Sequence, residues 1–132
     1  MTTLYFVRHA HSNYSSDELG RPLSEKGFAD ASRITDILID QEIDYVISSP
    51  YKRAIQTVEG NSRSIDREIQ IINGFKERKL SNEPVKDFSY AISKLWENQD
   101  YSLEGGESNR IAQQRGIEAT FQVLDRYNDK NV

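Results

Sequence analysis

Short apolar runs alternate with segments of helical period along this chain, and that alternation constrains the fold more than any other feature. Leu4-Tyr5-Phe6-Val7 is a continuous apolar run of the kind that parallel sheets bury on both faces. A loop with Gly20 and Pro22 follows. Ser24 then reads as a helix N-cap, and Phe28, Ala31, Ile34 and Leu38 recur at helical spacing, so a helix is expected to about Ile39. Tyr45-Val46-Ile47 forms a second strand run, stopped by Ser48-Ser49-Pro50. Ser49 as cap and Pro50 in the first turn predict a helix over residues 50–59, closed by Gly60. Ile69, Ile71 and Ile72 indicate a third strand. Residues 87–97 can be helical, with Phe88, Ile92, Leu95 and Trp96 on one side. Beyond Gly105-Gly106 a long helix should begin near Ser108, with Ile111, Ile117, Phe121 and Leu124 as its apolar stripe. The order strand, helix, strand, helix, strand, helices predicts an α/β sandwich around a mainly parallel sheet.

At 132 residues the chain suits one domain, expected over residues 1–132. Its formal net charge of −4 argues against a protein that coats nucleic acid or an anionic membrane. The absence of cysteine excludes a disulfide scaffold, a thiol enzyme and a cysteine zinc site. With only two histidines, no metal is expected. No apolar run approaches the roughly 18 residues that span a bilayer. The first run is too short for a signal peptide and ends at Arg8, so a cytoplasmic location is expected. No glycine pattern of a nucleotide-binding loop occurs.

In parallel α/β folds the working groups gather in loops at the carboxyl ends of strands. Arg8-His9 stands directly after the first run. A neutral imidazole can attack phosphorus, and a guanidinium can hold two phosphoryl oxygens in a planar fork. Ser12 adds a hydroxyl. The plain alternative is a surface loop that happens to hold an arginine and a histidine. Arg53 follows the second run, in the first turn of a helix whose N-terminus attracts anions; the alternative is an ordinary capped helix with a solvated arginine. Glu77, beyond the third run, can be a general acid for a leaving oxygen, or one charge in a solvated stretch. Glu107 either sits at the positive end of a helix start or also shapes a pocket. His11 reads as a second site base or, more simply, as a rim residue. Tyr90, Trp96 and Tyr101 can contact a ligand, though packing is the simpler use.

Taken together, these pieces resemble the histidine phosphatase superfamily, which includes the cofactor-dependent phosphoglycerate mutases. Its blocks stand here in order: Arg8-His9-Ala10-His11-Ser12, Pro22-Leu23-Ser24 with Gly27 and Ala31, Ser48-Ser49-Pro50 with Arg53-Ala54 and Gln56-Thr57, Glu77, and Gly106-Glu107-Ser108. The resemblance implies a three-layer α/β sandwich. It implies His9 as nucleophile, Arg8 and Arg53 as phosphoryl ligands, Glu77 as proton donor, Ser12 at the pocket edge, and no metal. Ala10 replaces the usual glycine. Ser15 stands where the family usually has an asparagine, which alters a substrate contact. The block around Glu77 lacks the family's glycine-bearing continuation.

The resemblance also implies a second catalytic histidine after a late strand, and neither His9 nor His11 can be that residue. The expectation is therefore an N-terminal fragment, incomplete at its C-terminus. The missing strand is expected beside the first one, which leaves an unpaired apolar edge prone to self-association. Catalysis by these residues alone should be weak or absent, since losing one oxyanion-binding group costs about a hundredfold or more. The leading function is hydrolysis of a small phosphorylated metabolite through phosphohistidine, without a cofactor. The alternatives are a mutase, which needs a bisphosphoglycerate primer, and an inactive phosphate-binding module. The short segment between Ser12 and Pro22 favours the phosphatase over the mutase.

Overall fold

Ser24 begins the first helix as its spacing predicts. In the computed structural model, which describes residues 1–132, its side chain accepts from the Gly27 amide, and α1 runs over Glu25–Leu38 with Ile39 as C-cap. β1 (Ile47–Ser48) follows, then α2 (Lys52–Ser64), β2 (Gln70–Ile71), a 3-10 turn (Asn73–Phe75), α3 (Phe88–Glu97) and α4 (Asn109–Arg126). None of the helices is long and apolar enough to cross a membrane. The chain divides into two compact units, Met1–Asn73 with Gln122–Val132, and Gly74–Phe121.

In the first unit, β1 and β2 pair in parallel, Ile47 with Gln70 and Ser48 with Ile71. This is the parallel arrangement expected of an α/β chain. A further parallel bridge joins Thr3 to Asn131. Asn131 also accepts from the Asp44 amide at 2.8 Å. The last residues of the chain are thus inserted between the N-terminal segment and the approach to β1. The run at residues 4–7 departs from expectation. The Tyr5 amide donates to Val132 at 2.8 Å, but Phe6 and Val7 make no backbone hydrogen bond. Phe6 is 74% exposed. A strand is held by its ladder, and here the ladder stops at Tyr5.

The expected end of α2 at Gly60 is also corrected: the helix passes through Gly60 to Ser64. The reason is packing. A Cβ on Gly60 would stand 2.1 Å from Thr35 Oγ1 of α1, so this glycine allows α1 and α2 to touch. Neither Ser49 nor Pro50 starts the helix. Tyr51 occupies the cap position and supplies no side-chain bond. Leu23, Ala31, Val46, Val123 and Tyr127 form the buried apolar core of this unit. The Tyr127 ring lies 4.5 Å from that of Tyr45.

In the second unit Asp87 caps α3 by accepting from the Tyr90 amide, and Ser108 Oγ accepts from the Ile111 amide at the head of α4. The apolar faces match the expected ones only in part, at Leu95. Ala91 and Leu95 are buried, whereas Phe88, Tyr90 and Trp96 are exposed. On α4 the buried residues are Ala119 and Val123, and Ile111, Ile117 and Phe121 face outward. Ala91 and Leu95 fill the inner face of α3, and Ala119 and Val123 that of α4. Large apolar side chains mislead a reading by period because they dominate the pattern without being inside.

Candidate active site

The corner after the N-terminal segment is built around Thr57, on the second turn of α2. Its Oγ1 accepts from the Ala10 amide at 3.0 Å and donates to the Arg53 carbonyl at 2.7 Å. Thr57 and Arg53 are each 1% exposed. One hydroxyl therefore fixes the peptide next to His9 against the turn of helix that carries Arg53. His9 is half-buried. Its Nδ1 lies 2.8 Å from the Ala10 carbonyl oxygen. A carbonyl can only accept, so Nδ1 carries a proton, and in the neutral form of the ring the lone pair is then on Nε2. That is the tautomer an imidazole needs to act as a nucleophile at Nε2.

Arg53 is the second residue of α2, near the positive end of the helix dipole. Its Nη1 donates to the Glu18 carbonyl at 2.8 Å, its Nη2 lies 3.3 Å from Glu18 Oε2, and its guanidinium covers the Tyr51 ring at 4.5 Å. Burying a cation is costly unless partners offset its lost hydration, and the Glu18 contacts do part of this. A helix start with a guanidinium beside it suits an anion, and Thr57 ties the peptide next to His9 to that same turn of helix. Arg8 is exposed beside His9.

The loop that follows is tied to the start of α1. The Ser24 amide donates to the His11 carbonyl at 2.9 Å, and His11 Nδ1 lies 2.6 Å from Ser24 Oγ. A Cβ on Gly27 would sit 2.0 Å from that same carbonyl, which explains the glycine. His11 thus braces the helix cap. Ser12 spends its proton on the Pro22 carbonyl at 2.8 Å, and Ser15 Oγ accepts from the Asp17 amide at 3.2 Å. Both hydroxyls shape the loop.

The second unit holds Glu77 and Glu107. Glu77 is exposed, in the loop after the 3-10 turn. Glu107 meets Arg115 in a two-point pair, Nε to Oε1 at 3.0 Å and Nη2 to Oε2 at 2.8 Å. Its Oε2 also accepts from the Lys79 amide at 3.1 Å. Partial burial alone would raise the Glu107 pKa. The hydrogen bonds from Arg115 and the Lys79 amide, with the charges of Arg115 and Lys76, outweigh it and hold the carboxyl below its ordinary value. Arg115 Nη1 reaches the Gly74 and Lys76 carbonyls, each at 2.8 Å.

Of the expected residues, Arg53 is tied through Thr57 to Ala10, the residue that follows His9. Sequence reasoning gave no role to Thr57 or Arg115. Thr57 stands four residues after Arg53, on the same helix face, and that was the available signal. Arg115 had none, because the Gly74 and Lys76 carbonyls lie 41 and 39 positions away.

The model of the histidine phosphatase superfamily (branch 1) matches residues 4–132. No curated protein matches the chain at a significant level. Among solved structures, YhfR of Bacillus stearothermophilus is similar at 26% identity with a TM-score of 0.85, over 100% of this chain and 72% of that one. A mycobacterial glucosyl-3-phosphoglycerate phosphatase aligns at 16% identity and TM-score 0.79, over 98% of this chain and 65% of its own. The alpha-ribazole phosphatase of Shigella flexneri aligns at 18% identity and TM-score 0.73, over 98% and 69%. The chain thus spans less than two thirds of the length of the mycobacterial protein.

Proposed function

The chain belongs to the histidine phosphatase superfamily, and from that premise we propose that the protein containing it hydrolyses small phosphomonoesters through a phosphohistidine on His9. The observation that carries the reading is the Nδ1 contact of His9 with the Ala10 carbonyl, which leaves Nε2 as the attacking atom. Nε2 attacks phosphorus, a nitrogen–phosphorus bond forms, and the ester oxygen–phosphorus bond breaks. Glu77 gives its proton to the departing oxygen. Arg8 and Arg53 hold the phosphoryl oxygens and offset their charge as it shifts toward the leaving group. Water then attacks phosphorus and gives a proton to Glu77, the nitrogen–phosphorus bond breaks with its electron pair returning to Nε2, and inorganic phosphate leaves.

The substrate class follows the named neighbours. Two of them are phosphatases of small phosphorylated metabolites, glucosyl-3-phosphoglycerate and alpha-ribazole phosphate. They support a metabolite-sized phosphomonoester rather than a phosphoprotein. A rapid acid-free quench with a labelled phosphomonoester tests the reading. The protein should carry label that acid removes and alkali spares, and His9→Ala should carry none. Turnover that continues in His9→Ala would overturn it.

A further inference from the structure

We propose that Arg115 is a positioning residue for Glu77, holding the loop of residues 74–79 by two backbone carbonyls and by Glu107. The proposal rests on the reading of Glu77 as proton donor. A guanidinium offers five N–H groups in a fixed fork. Here Nε and Nη2 take the two oxygens of Glu107, and Nη1 takes the carbonyls of Gly74 and Lys76. The same Glu107 carboxylate accepts from the Lys79 amide. The Glu107 amide donates in turn to the Lys79 carbonyl at 2.8 Å. The backbone is therefore held at residues 74, 76 and 79, on both sides of Glu77. No lysine can reproduce this, because an ammonium has no planar fork.

The Gly106-Glu107-Ser108 triplet gains one explanation from the same geometry. A Cβ on Gly106 would stand 2.1 Å from the Leu80 carbonyl, so glycine permits the close approach of the two backbones. Glu107 joins the loop to Arg115. Ser108 caps α4, the helix that carries Arg115. The side chains of Arg115 and Glu107 are 25% and 26% exposed, so water and salt screen the pair less than a surface contact. A general acid must meet its leaving oxygen within hydrogen-bond reach, and a misplacement of about 1 Å can cost about a hundredfold.

The test compares two phosphomonoesters in the protein as the cell makes it. An alkyl phosphate needs its leaving oxygen protonated, whereas 2,4-dinitrophenyl phosphate does not. Glu77→Gln sets the reference, an expected loss of about a hundredfold on the alkyl ester and little change on the aryl one. Arg115→Ala should follow the same pattern at roughly tenfold to a hundredfold, and the double variant should be no worse than Glu77→Gln alone. Equal losses on both esters, or losses that multiply in the double variant, would overturn the proposal. Glu107→Gln, which preserves shape, gives the same comparison if Arg115→Ala does not fold. Amide exchange supplies a second readout: the Lys79 amide should exchange about tenfold faster in Arg115→Lys, as expected when a held loop opens locally. If the unsubstituted protein turns over neither ester, the phosphatase reading fails. The clamp is then judged by exchange alone, and an unchanged Lys79 amide overturns it.

Discussion

Replacing Thr57 by valine removes one oxygen and keeps the side-chain shape. Thr57 is 1% exposed, and its Oγ1 both accepts from the Ala10 amide and donates to the Arg53 carbonyl. Valine leaves the Ala10 N–H without its partner in a part-buried place, at a cost of about 1–2 kcal/mol. With an unfolding entropy of about 2.1 cal/mol/K per residue, a chain of this length should lose about 4–7 °C in Tm. Thr57→Ser is the control. It keeps the hydroxyl and loses one methyl, worth about 0.8 kcal/mol of buried hydrocarbon. The two variants separate at His9. In the valine variant the Ala10 N–H loses its anchor, residue 10 is free to shift, and its carbonyl, in the next peptide unit, should hold Nδ1 less firmly. Nitrogen NMR of the imidazole should then show a mixture of tautomers, whereas serine should keep the Nδ1–H form. Urea unfolding at unchanged m-value measures the first effect. Equal imidazole spectra for threonine and valine, or equal disturbance by serine and valine, would refute the reasoning.

Three more outcomes follow from the same structure. Because Glu107 titrates below its ordinary value of 4.5 in the folded state, the unfolded chain takes up that proton first on acidification. Its contribution to stability is full above that pH and declines as pH falls through the folded value. Glu107→Gln should remove this part of the acid limb in a urea series, and parallel curves would show the pairing to be inert. Gly60→Ala should destabilise by about 1–3 kcal/mol through overpacking against Thr35, against a helix-propensity gain of up to about 1 kcal/mol; a raised Tm would count against the close contact. Because Phe6 and Val7 lack backbone partners, the 132-residue chain should self-associate through this edge, and a single monomer mass in light scattering at high concentration would contradict it.

What was legible in the sequence was local. Ser24 caps its helix because a hydroxyl, a loop before it and an apolar period after it are enough to specify that start. Arg53 lies in the first turn of α2 as the strand–turn–helix order predicted, even though Tyr51 replaces Ser49 at the cap. What failed depended on partners far away in sequence. Gly60 reads as a stop until Thr35 is seen beside it. Ile111, Ile117 and Phe121 make a persuasive stripe, yet Ala119 and Val123 are buried instead. The run at residues 4–7 has the composition of a buried strand, but strands need neighbours, and only Tyr5 finds one. Glu107 was visible as a helix-start acid, while its pairing with Arg115 needed the whole of the second unit. The family resemblance supplied the roles of His9 and Arg53, and it offered nothing on Thr57 because a block of letters does not say which hydroxyl holds which amide.

The insertion of Asn131 beside Thr3 also places a clock on the nascent chain. Met1 pairs with Asp129, 128 positions away, and the neighbouring Thr3–Asn131 bridge closes across the same distance. On a ribosome adding roughly 5–20 residues per second, the first segment waits between about 6 and 25 s for the residues that will bind it. The helices and the β1–β2 pair need no such delay, since their contacts close within shorter stretches. Thr3 and Tyr5 therefore spend that interval with no ladder to join, and a chaperone or a second nascent chain would meet them first.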